Sequence, residues 1–224
     1  MSVLALEGVS SVAGGVRVLD RLDLAVAAAE RVAIVAGSGE GKSLLSAIAI
    51  GLVPPLAGIA RLFGTDLARA DAAAVRRLRA RCGVTVQGGS LLGEWSVEDN
   101  LRLGAGSAAR VGRRIDRLML DFAVERSGTA AVQSLSRGER RRVELVRAFA
   151  RDPELVILDE PLDDLDPGSR DGLLRFLFDP ARPWTVLVTA HDPATLRHCT
   201  RAIALEQGRL RDVSREFLGQ EGVS

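Results

Sequence analysis

The chain has 224 residues, of which 47% are hydrophobic and 26% charged, and its formal net charge is +1. This length suits one α/β domain with a sizeable core, and the near-neutral charge argues against a nucleic-acid partner, which would require a basic domain. The two cysteines, Cys82 and Cys199, form no disulfide or metal-binding pattern, which is typical of proteins in a reducing cytosol.

We expect neither a signal peptide nor a membrane span. The amino-terminal segment lacks a basic stretch and carries Glu7 early, which argues against a signal peptide. Residues 43–60 contain no charged side chain, but Gly51 and the pair Pro54-Pro55 interrupt them. We therefore predict a buried helix followed by a loop in this stretch.

The chain opens with a predicted pair of strands. Residues 3–9 and 16–26 alternate apolar with polar or small side chains, as half-buried strands do. The break at residues 13–15 contains Gly14-Gly15 and predicts a hairpin turn between them. A run of aliphatic residues at 31–35 then predicts a buried strand.

Residues 36–43, Ala-Gly-Ser-Gly-Glu-Gly-Lys-Ser, follow that strand and precede a predicted helix. They match the phosphate-loop pattern G-x-x-x-x-G-K-S, with Ala36 in place of its first glycine. The other glycines would let backbone N–H groups turn toward phosphate oxygens at the start of the helix. Lys42 would bind the β- and γ-phosphates, and the Ser43 hydroxyl would bind Mg²⁺.

An ordinary glycine-rich turn is the alternative interpretation of this loop. Lys42 is the only lysine in a chain that is otherwise rich in arginine, and this favours a specific role for it. The predicted phosphate-binding residues are Gly37, Ser38, Gly39, Glu40, Gly41, Lys42, Ser43 and Leu44.

The middle of the chain predicts a strand at 58–63, a helix at 72–80 and a core strand at 83–86 that ends at Gln87. We predict that residues 90–103 form a loop with apolar side chains, which either fold under the helices or mark a docking patch. Residues 104–131 are helical in pattern. Their predicted apolar stripe is Ile115, Leu118, Met119 and Phe122.

Residues 135–139, Leu-Ser-Arg-Gly-Glu, open an amphipathic helix in which Ser136 and Glu139 form a capping-box pattern. Arg140 and Glu144 are spaced for an ion pair one turn apart. The arginines of this helix are expected to lie on a solvated face; they are Arg140, Arg141, Arg142 and Arg147.

The aliphatic run at 155–158 ends in two acids, Asp159 and Glu160. Such a run predicts a parallel strand that is buried on both faces, and its carboxyl end is where α/β sheets bind ligands. Two buried acids without partners would be unfavourable, which favours a metal–phosphate site. We predict that Asp159 holds Mg²⁺ and that Glu160 orients and deprotonates a hydrolytic water.

A further core strand is predicted at 184–189, shortly before His191, and two more at 203–205 and 208–210. The order of all these motifs resembles that of ABC-type ATPases. Residues 135–139 resemble the signature motif, 155–160 the Walker B strand and 165–166 the D-loop of that family. The resemblance covers essentially the whole chain, and the order and spacing of the motifs are highly specific.

The resemblance implies an α/β fold of the P-loop NTPase class, with a RecA-like parallel core, an antiparallel β-subdomain and a small α-helical subdomain. It implies one nucleotide-binding domain over residues 1–224, with the helical subdomain at 88–151. Residues 11–13, Ser-Val-Ala, stand where the family places an aromatic ring against adenine, and the chain has no tyrosine. Arg137 and Glu139 also replace the second glycine and the glutamine of the usual L-S-G-G-Q.

Several residue roles follow from the resemblance alone. Gln87 would be the Q-loop glutamine, which meets Mg²⁺ or the attacking water, and the imidazole of His191 would contact the γ-phosphate. Ser136 and Gly138 would clamp the γ-phosphate of ATP held by a second copy. Asp166 would belong to the loop that crosses between subunits.

The function implied is that of an ATP-binding and ATP-hydrolysing subunit with Mg²⁺, which dimerises on ATP and drives a separate integral-membrane permease. Its expected location is the cytoplasmic face of the inner membrane. The alternative is an ATP-gated mechanical or regulatory module that acts on a membrane partner without transport, as in cell division. A DNA-repair or translation protein is disfavoured by the lack of a coiled-coil insertion or a second ATPase unit. A scaffold without catalysis is disfavoured by Lys42, Glu160 and His191.

Overall fold

The computed structural model describes residues 2–86, 88–103, 109–124, 131–182 and 184–217. The strands in these ranges are β1 Ser2–Ala13, β2 Val16–Ala27, β3 Arg31–Val35, β4 Ala57–Leu62, β5 Thr65–Asp66, β6 Cys82–Thr85, β7 Leu155–Asp159, β8 Thr185–Thr189, β9 Arg201–Glu206 and β10 Arg209–Asp212. The α-helices are α1 Lys42–Ala49, α2 Ala72–Arg79, α3 Val97–Arg102, α4 Ala109–Asp121, α5 Arg137–Phe149, α6 Pro167–Leu177, α7 Pro193–Leu196 and α8 Ser214–Phe217.

The strands form two sheets. The larger sheet has the order β10-β9-β3-β8-β7-β6, in which β9, β3, β8, β7 and β6 run parallel and β10 pairs antiparallel with β9. The smaller sheet has the order β2-β1-β4-β5 and is antiparallel throughout. This arrangement confirms the predicted α/β class, with a parallel core and an antiparallel β-subdomain.

The parallel sheet is buried on both faces, and β7 shows how its sequence achieves this. Val156 and Leu158 lie in one hydrophobic cluster, together with residues of α3, α4, α5 and α6. Leu155 and Ile157 lie in a second cluster, together with residues of β1, β2, β4 and α1. Because successive side chains of a strand point to opposite faces, an unbroken aliphatic run fills both clusters at once.

The helices between β6 and β7 pack on the first of these clusters. The predicted stripe of α4 is buried there, as are the inward-facing residues of α5. The rings of Phe149 and Phe176 meet edge to face at 4.9 Å, and this contact joins α5 to α6. The helical region therefore shares one core with the parallel sheet.

The prediction of a loop over residues 90–103 was wrong in part, because α3 occupies its second half. Ser96 begins this helix by accepting a hydrogen bond from Asp99 N at 3.1 Å. The fully buried side chain of Asn100 bonds both the N–H and the carbonyl of Leu92. Leu92 and Trp95 in the remaining loop are 40% and 44% exposed, whereas Leu91 packs against the first hydrophobic cluster.

Residues 43–60 form most of α1, a loop and the first part of β4, which agrees with the prediction of a helix followed by a loop. No helix in the described ranges combines the length and the apolar character that a membrane-spanning segment requires.

Candidate functional site

The predicted site residues meet where β3, β7 and β8 reach the same edge of the parallel sheet. Helix α1 begins at Lys42, seven residues after β3 ends at Val35. Asp159 is the last residue of β7, Glu160 follows it, and His191 lies two residues beyond the end of β8. The parallel register of β3, β8 and β7 places these three strand ends side by side.

The loop before α1 has the backbone that its glycines predict. Gly41 has a φ of +99°, and a Cβ on it would lie 2.7 Å from the Val18 side chain, so a larger residue would be both strained and in collision. The carboxylate of Glu40 accepts a hydrogen bond from Gln207 N at 2.9 Å, which ties the loop to the turn before β10. Residues 37–39 are exposed, whereas Leu44 packs against the second hydrophobic cluster.

Three of the predicted catalytic and phosphate-binding side chains are joined directly. Lys42 Nζ lies 2.9 Å from Glu160 Oε1 and also donates to the carbonyl of Ala36 at 3.0 Å. His191 Nδ1 lies 3.0 Å from the other carboxylate oxygen of Glu160. The Lys42 and Glu160 side chains are only 12% and 14% exposed, whereas His191 is 68% exposed. The ammonium group therefore compensates a largely buried carboxylate, which would be unfavourable if unpaired.

Asp159 is almost fully buried beside this group. Its two carboxylate oxygens accept hydrogen bonds from Thr189 Oγ1 at 2.5 Å and from Ser43 Oγ at 3.2 Å. The Asp159 N–H also donates to the hydroxyl of Thr85 at 3.3 Å. A carboxylate and a hydroxyl in contact supply the oxygen ligands that Mg²⁺ prefers. The residues present thus fit the predicted metal.

The backbone of Glu160 is held in an unusual conformation. Its φ is +43°, a region that non-glycine residues rarely occupy. Its N–H donates to the carbonyl and to the hydroxyl of Thr189, at 3.1 and 2.9 Å. Its carbonyl accepts from Arg141 at 2.7 Å. Contacts on both sides of the residue therefore direct its carboxylate toward Lys42 and His191.

Arg141 is a residue whose place in the site the sequence did not indicate. It was predicted to lie on the solvated face of α5, but its side chain is only 10% exposed and points toward the end of β7. The predicted pair of Arg140 and Glu144 is also replaced, because Glu144 lies 3.2 Å from Arg141 instead. The spacing of Arg141 and Glu144, three apart on one helix, was the available signal.

Ser136, Gly138 and Asp166 form a second group, between α5 and the segment before α6. Ser136 and Glu139 complete the predicted capping box, with Ser136 N bonded to Glu139 Oε2 at 2.8 Å. A Cβ on Gly138 would lie 2.7 Å from the carbonyl oxygen of Asp164, so the two segments touch only because this residue is glycine. Asp166 begins α6 and lies 3.5 Å from Arg142.

Hydrogen bonds stabilise the ionised form of two acids at this second group, Glu139 and Asp166. The Ser136 hydroxyl and N–H lower the pKa of Glu139 below its usual value, and the Ser169 hydroxyl and N–H lower the pKa of Asp166. Each carboxylate therefore stays ionised to a lower pH than a free carboxyl group would.

A cavity of about 580 Å³ lies beside the end of β7. The residues that line it include Glu160, Arg141, Arg137 and Asp164, together with Gly88 in the loop after β6. Gln87, the predicted Q-loop residue, lies outside the described residues. The cavity thus opens beside the predicted base and reaches the signature residues.

The family model described as ABC transporter matches residues 19–163 of this chain. The chain belongs to the ABC transporter family. This ABC ATPase is 35% identical over 204 residues to the lipoprotein-releasing system ATP-binding protein LolD of Chromohalobacter salexigens, a match that covers 88% of this chain and 86% of that protein. It is 34% identical over 218 residues to the Fe(3+) ions import ATP-binding protein FbpC of Serratia marcescens, covering 95% of this chain and 63% of that protein.

Solved structures agree with the fold. The structure of an ATP binding subunit of an ABC transporter has a TM-score of 0.84 at 29% identity, covering 100% of this ABC ATPase and 96% of that chain. The dimeric structure of MJ0796, a bacterial ABC transporter cassette, has a TM-score of 0.86 at 24% identity, covering 93% of this chain and 97% of that one. At that identity the second likeness concerns the fold alone. The family and the fold together identify an ATP-binding subunit of the ABC type.

Proposed function

We propose that this ABC ATPase hydrolyses ATP and couples hydrolysis to a separate integral-membrane permease through ATP-driven dimerisation. The observation that carries the proposal is the joined group of Lys42, Glu160 and His191 at the start of α1. It combines a phosphate-binding cation, a general base and an imidazole at the carboxyl edge of a parallel sheet. A chain that only bound nucleotide would need neither the general base nor the imidazole.

Each residue has a separate task in this proposal. Lys42 binds the β- and γ-phosphates, and the backbone N–H groups of residues 37–44 surround their oxygens. Glu160 accepts a proton from the attacking water, and the imidazole of His191 contacts the γ-phosphate. Ser43 and Asp159 hold Mg²⁺, which when bound offsets the negative charge of the phosphates. Gln87 contributes a neutral amide to the metal or the water.

Lys42 would exchange partners when the nucleotide enters. In the structure its ammonium group neutralises Glu160. Phosphate oxygens carry more charge than one carboxylate, so they would draw Lys42 away and leave Glu160 to bind the attacking water. The ion pair therefore keeps the base neutralised until its substrate is present.

The second group acts on the other copy of the chain. Ser136 and Gly138 would bind the γ-phosphate of ATP held by the partner, because the start of α5 presents N–H groups and a positive dipole end. Asp166 would lie at the contact between the copies. Residues 1–224 then form one nucleotide-binding domain, in which residues 88–151 are a helical subdomain.

The names of the relatives support a role in transport. LolD is named as part of a lipoprotein-releasing system and FbpC as part of an import system, and both are called ATP-binding proteins. We infer that this chain likewise serves a membrane permease at the cytoplasmic face of the inner membrane. These names favour transport over a purely mechanical or regulatory role.

Hydrolysis of ATP by the purified chain tests this function. We expect release of inorganic phosphate that requires Mg²⁺, and a loss of about 10²-fold or more in rate for Lys42→Ala, since one preorganised charge on the transferred group is removed. The melting temperature of the variant should be measured alongside, to exclude unfolding. A wild-type chain that neither binds nor hydrolyses ATP, alone or with its membrane partner, would refute the proposal.

Adenine should be held weakly, because no aromatic ring is available at the hairpin of β1 and β2. The side chain of Val18 lies against Gly41, so this hairpin passes beside the phosphate loop. Val12 is 44% exposed near its tip, and Ala13 is exposed as well. Base stacking contributes roughly 1–3 kcal/mol in nucleic-acid sites, so its absence should weaken nucleotide binding by a comparable amount. The phosphates and Mg²⁺ would then carry most of the affinity, and we expect poor discrimination between ATP and GTP.

A tyrosine at the hairpin should supply the missing stacking contact with adenine. We expect Ala13→Tyr, or Val12→Tyr, to tighten ATP binding by roughly 5- to 150-fold without changing the turnover number. Calorimetric titration with ATP and GTP measures the effect, and Leu120→Tyr on the distant exposed face of α4 is the control. A wild type that strongly prefers ATP and is unmoved by either tyrosine would show that another segment holds the base.

A further inference from the structure

Arg141 and Glu144 form a buried ion pair on α5. Arg141 Nη1 lies 3.2 Å from Glu144 Oε2, and the two side chains are only 10% and 7% exposed. A buried pair is unfavourable unless further hydrogen bonds satisfy both groups. In this protein those further bonds lead to two different segments, the end of β7 and the loop after β6.

The guanidinium group of Arg141 binds the backbone around Glu160. It donates to the carbonyls of three consecutive residues, Asp159, Glu160 and Pro161, the last two at 2.7 and 3.4 Å. A planar guanidinium has five N–H donors spread over three nitrogen atoms, so it can serve Glu144 and three carbonyls at once, whereas an ammonium group has only three donors on one nitrogen atom. The carbonyls before and after the Glu160 Cα are therefore fixed by one side chain.

Glu160 depends on such support because of its backbone. A non-glycine residue at a φ of +43° is strained, and strain of this kind persists only where the surroundings hold it. Thr189 holds the N–H of Glu160, at 2.9 and 3.1 Å, and Arg141 holds its carbonyl. Release of the carbonyl would let the backbone relax and turn the carboxylate away from Lys42 and His191.

Glu144 extends the connection to the loop that follows β6. Its Oε1 accepts a hydrogen bond from Ser90 N at 2.9 Å, while its Oε2 faces Arg141. Arg147, in the last turn of α5, donates to the Ser90 carbonyl at 3.0 Å. The loop at residues 88–90 and the predicted base are thus joined through two buried side chains.

We propose that Arg141 is a positioning residue for Glu160, and that Glu144 couples it to the loop at residues 88–90. A shift of this loop would then move the guanidinium group and, through the carbonyls, the carboxylate that accepts the proton. The proposal rests on the proposed function, in which Glu160 is the general base. It adds a route by which the position of one loop sets the rate of the chemical step.

Removal of the whole pair is the decisive experiment. Arg141→Met alone leaves Glu144 buried without its partner, so it should lower both the melting temperature and the turnover number. The double variant Arg141→Met/Glu144→Leu removes both charges and should regain much of the lost stability. Its turnover number should stay about 10- to 100-fold below wild type, because misplacement of a reacting group by 1 Å costs about 10²-fold. KM and the affinity for ATP should change less than threefold, because the phosphate loop is untouched.

Two further variants separate positioning from stability. Arg114→Met is the matched control, because Arg114 also bonds a backbone carbonyl, that of Phe149 at 2.9 Å, and a carboxylate, that of Asp152 at 2.7 Å. It should lower the melting temperature and leave the turnover number unchanged. Arg141→Lys keeps the charge, but its three donors on one nitrogen atom cannot serve Glu144 and all three carbonyls, so this variant should not keep wild-type turnover.

A measurement without ATP tests the link independently of catalysis. Hydrogen exchange of the nucleotide-free double variant should rise by about tenfold or more at the amides of Glu160 and Ser90, and it should not rise there in Arg114→Met. If the wild type hydrolyses no ATP, the proposed function fails, and this exchange measurement still decides whether the link exists. Wild-type turnover in the double variant, or unchanged exchange at both amides, would overturn the inference.

Discussion

Glu160→Gln should lower the turnover number by about 10²–10⁴-fold while ATP remains bound, because the amide cannot accept the proton of the attacking water. The carbonyl oxygen of the amide can still accept the hydrogen bond that Lys42 Nζ now gives to Glu160 at 2.9 Å. Ser43 and Asp159 keep their mutual contact at 3.2 Å. Phosphate binding and the geometry of the loop should therefore survive the change.

The matched control for this variant lies at the other end of the same strand. Glu154 directly precedes β7, pairs with Arg81 at 2.6 Å and is 57% exposed. Glu154→Gln makes the same chemical change at the opposite edge of the sheet and should leave turnover within a factor of about two. Steady-state phosphate release and ATP titration on both variants give the comparison. Wild-type turnover in Glu160→Gln would remove Glu160 from the role of general base.

Ser136→Arg should abolish ATP-dependent dimerisation without weakening ATP binding to the same chain. Ser136 is exposed at the start of α5, and an arginine there would fill the space that the partner's γ-phosphate needs. The change also removes the N-cap side chain of α5, which typically lowers the free energy of unfolding by about 1 kcal/mol. Ser96→Arg at the start of α3 removes a similar capping serine and is the control for that loss. It should lower stability and leave dimerisation intact.

Mixing experiments show whether the Ser136→Arg change impairs the ATP site of the partner copy. A mixed dimer of Ser136→Arg and Lys42→Ala chains has one site that carries both changes and one site that carries neither. With the Glu160→Gln change in both chains to prevent turnover, the mixture should form dimers although each variant alone does not. Dimers of Ser136→Arg alone, at the ATP concentration that suffices for the parent, would contradict the arrangement of sites across two copies.

The fold was largely predictable because its strands and loops carry local signals. The aliphatic run of β7 can only be buried on both sides, and the glycine pattern before α1 defines the phosphate loop. Short elements were harder to predict. Helix α3 spans Val97–Arg102, which is under two turns, so no hydrophobic period can develop, and the interactions of Asn100 with Leu92 decide its position.

The placement of the candidate site was predictable where residue type alone carries the chemistry, as for the two acids at the end of β7. Arg141 was assigned to the wrong environment because four arginines on one helix look like a solvated face. Its burial depends on the backbone carbonyls of residues 159–161, which lie on another element and leave no trace in the sequence of α5. The left-handed conformation of Glu160 was likewise not foreseeable, since it results from bonds to Thr189 and Arg141.

Sedimentation of the Glu160→Gln chain with ATP and with ADP shows whether two copies enclose ATP between them. We expect a dimer with ATP and Mg²⁺ and a monomer with ADP, since only ATP offers a γ-phosphate to the start of α5 in the partner. A monomer at saturating ATP, or equal dimerisation with both nucleotides, would contradict this expectation.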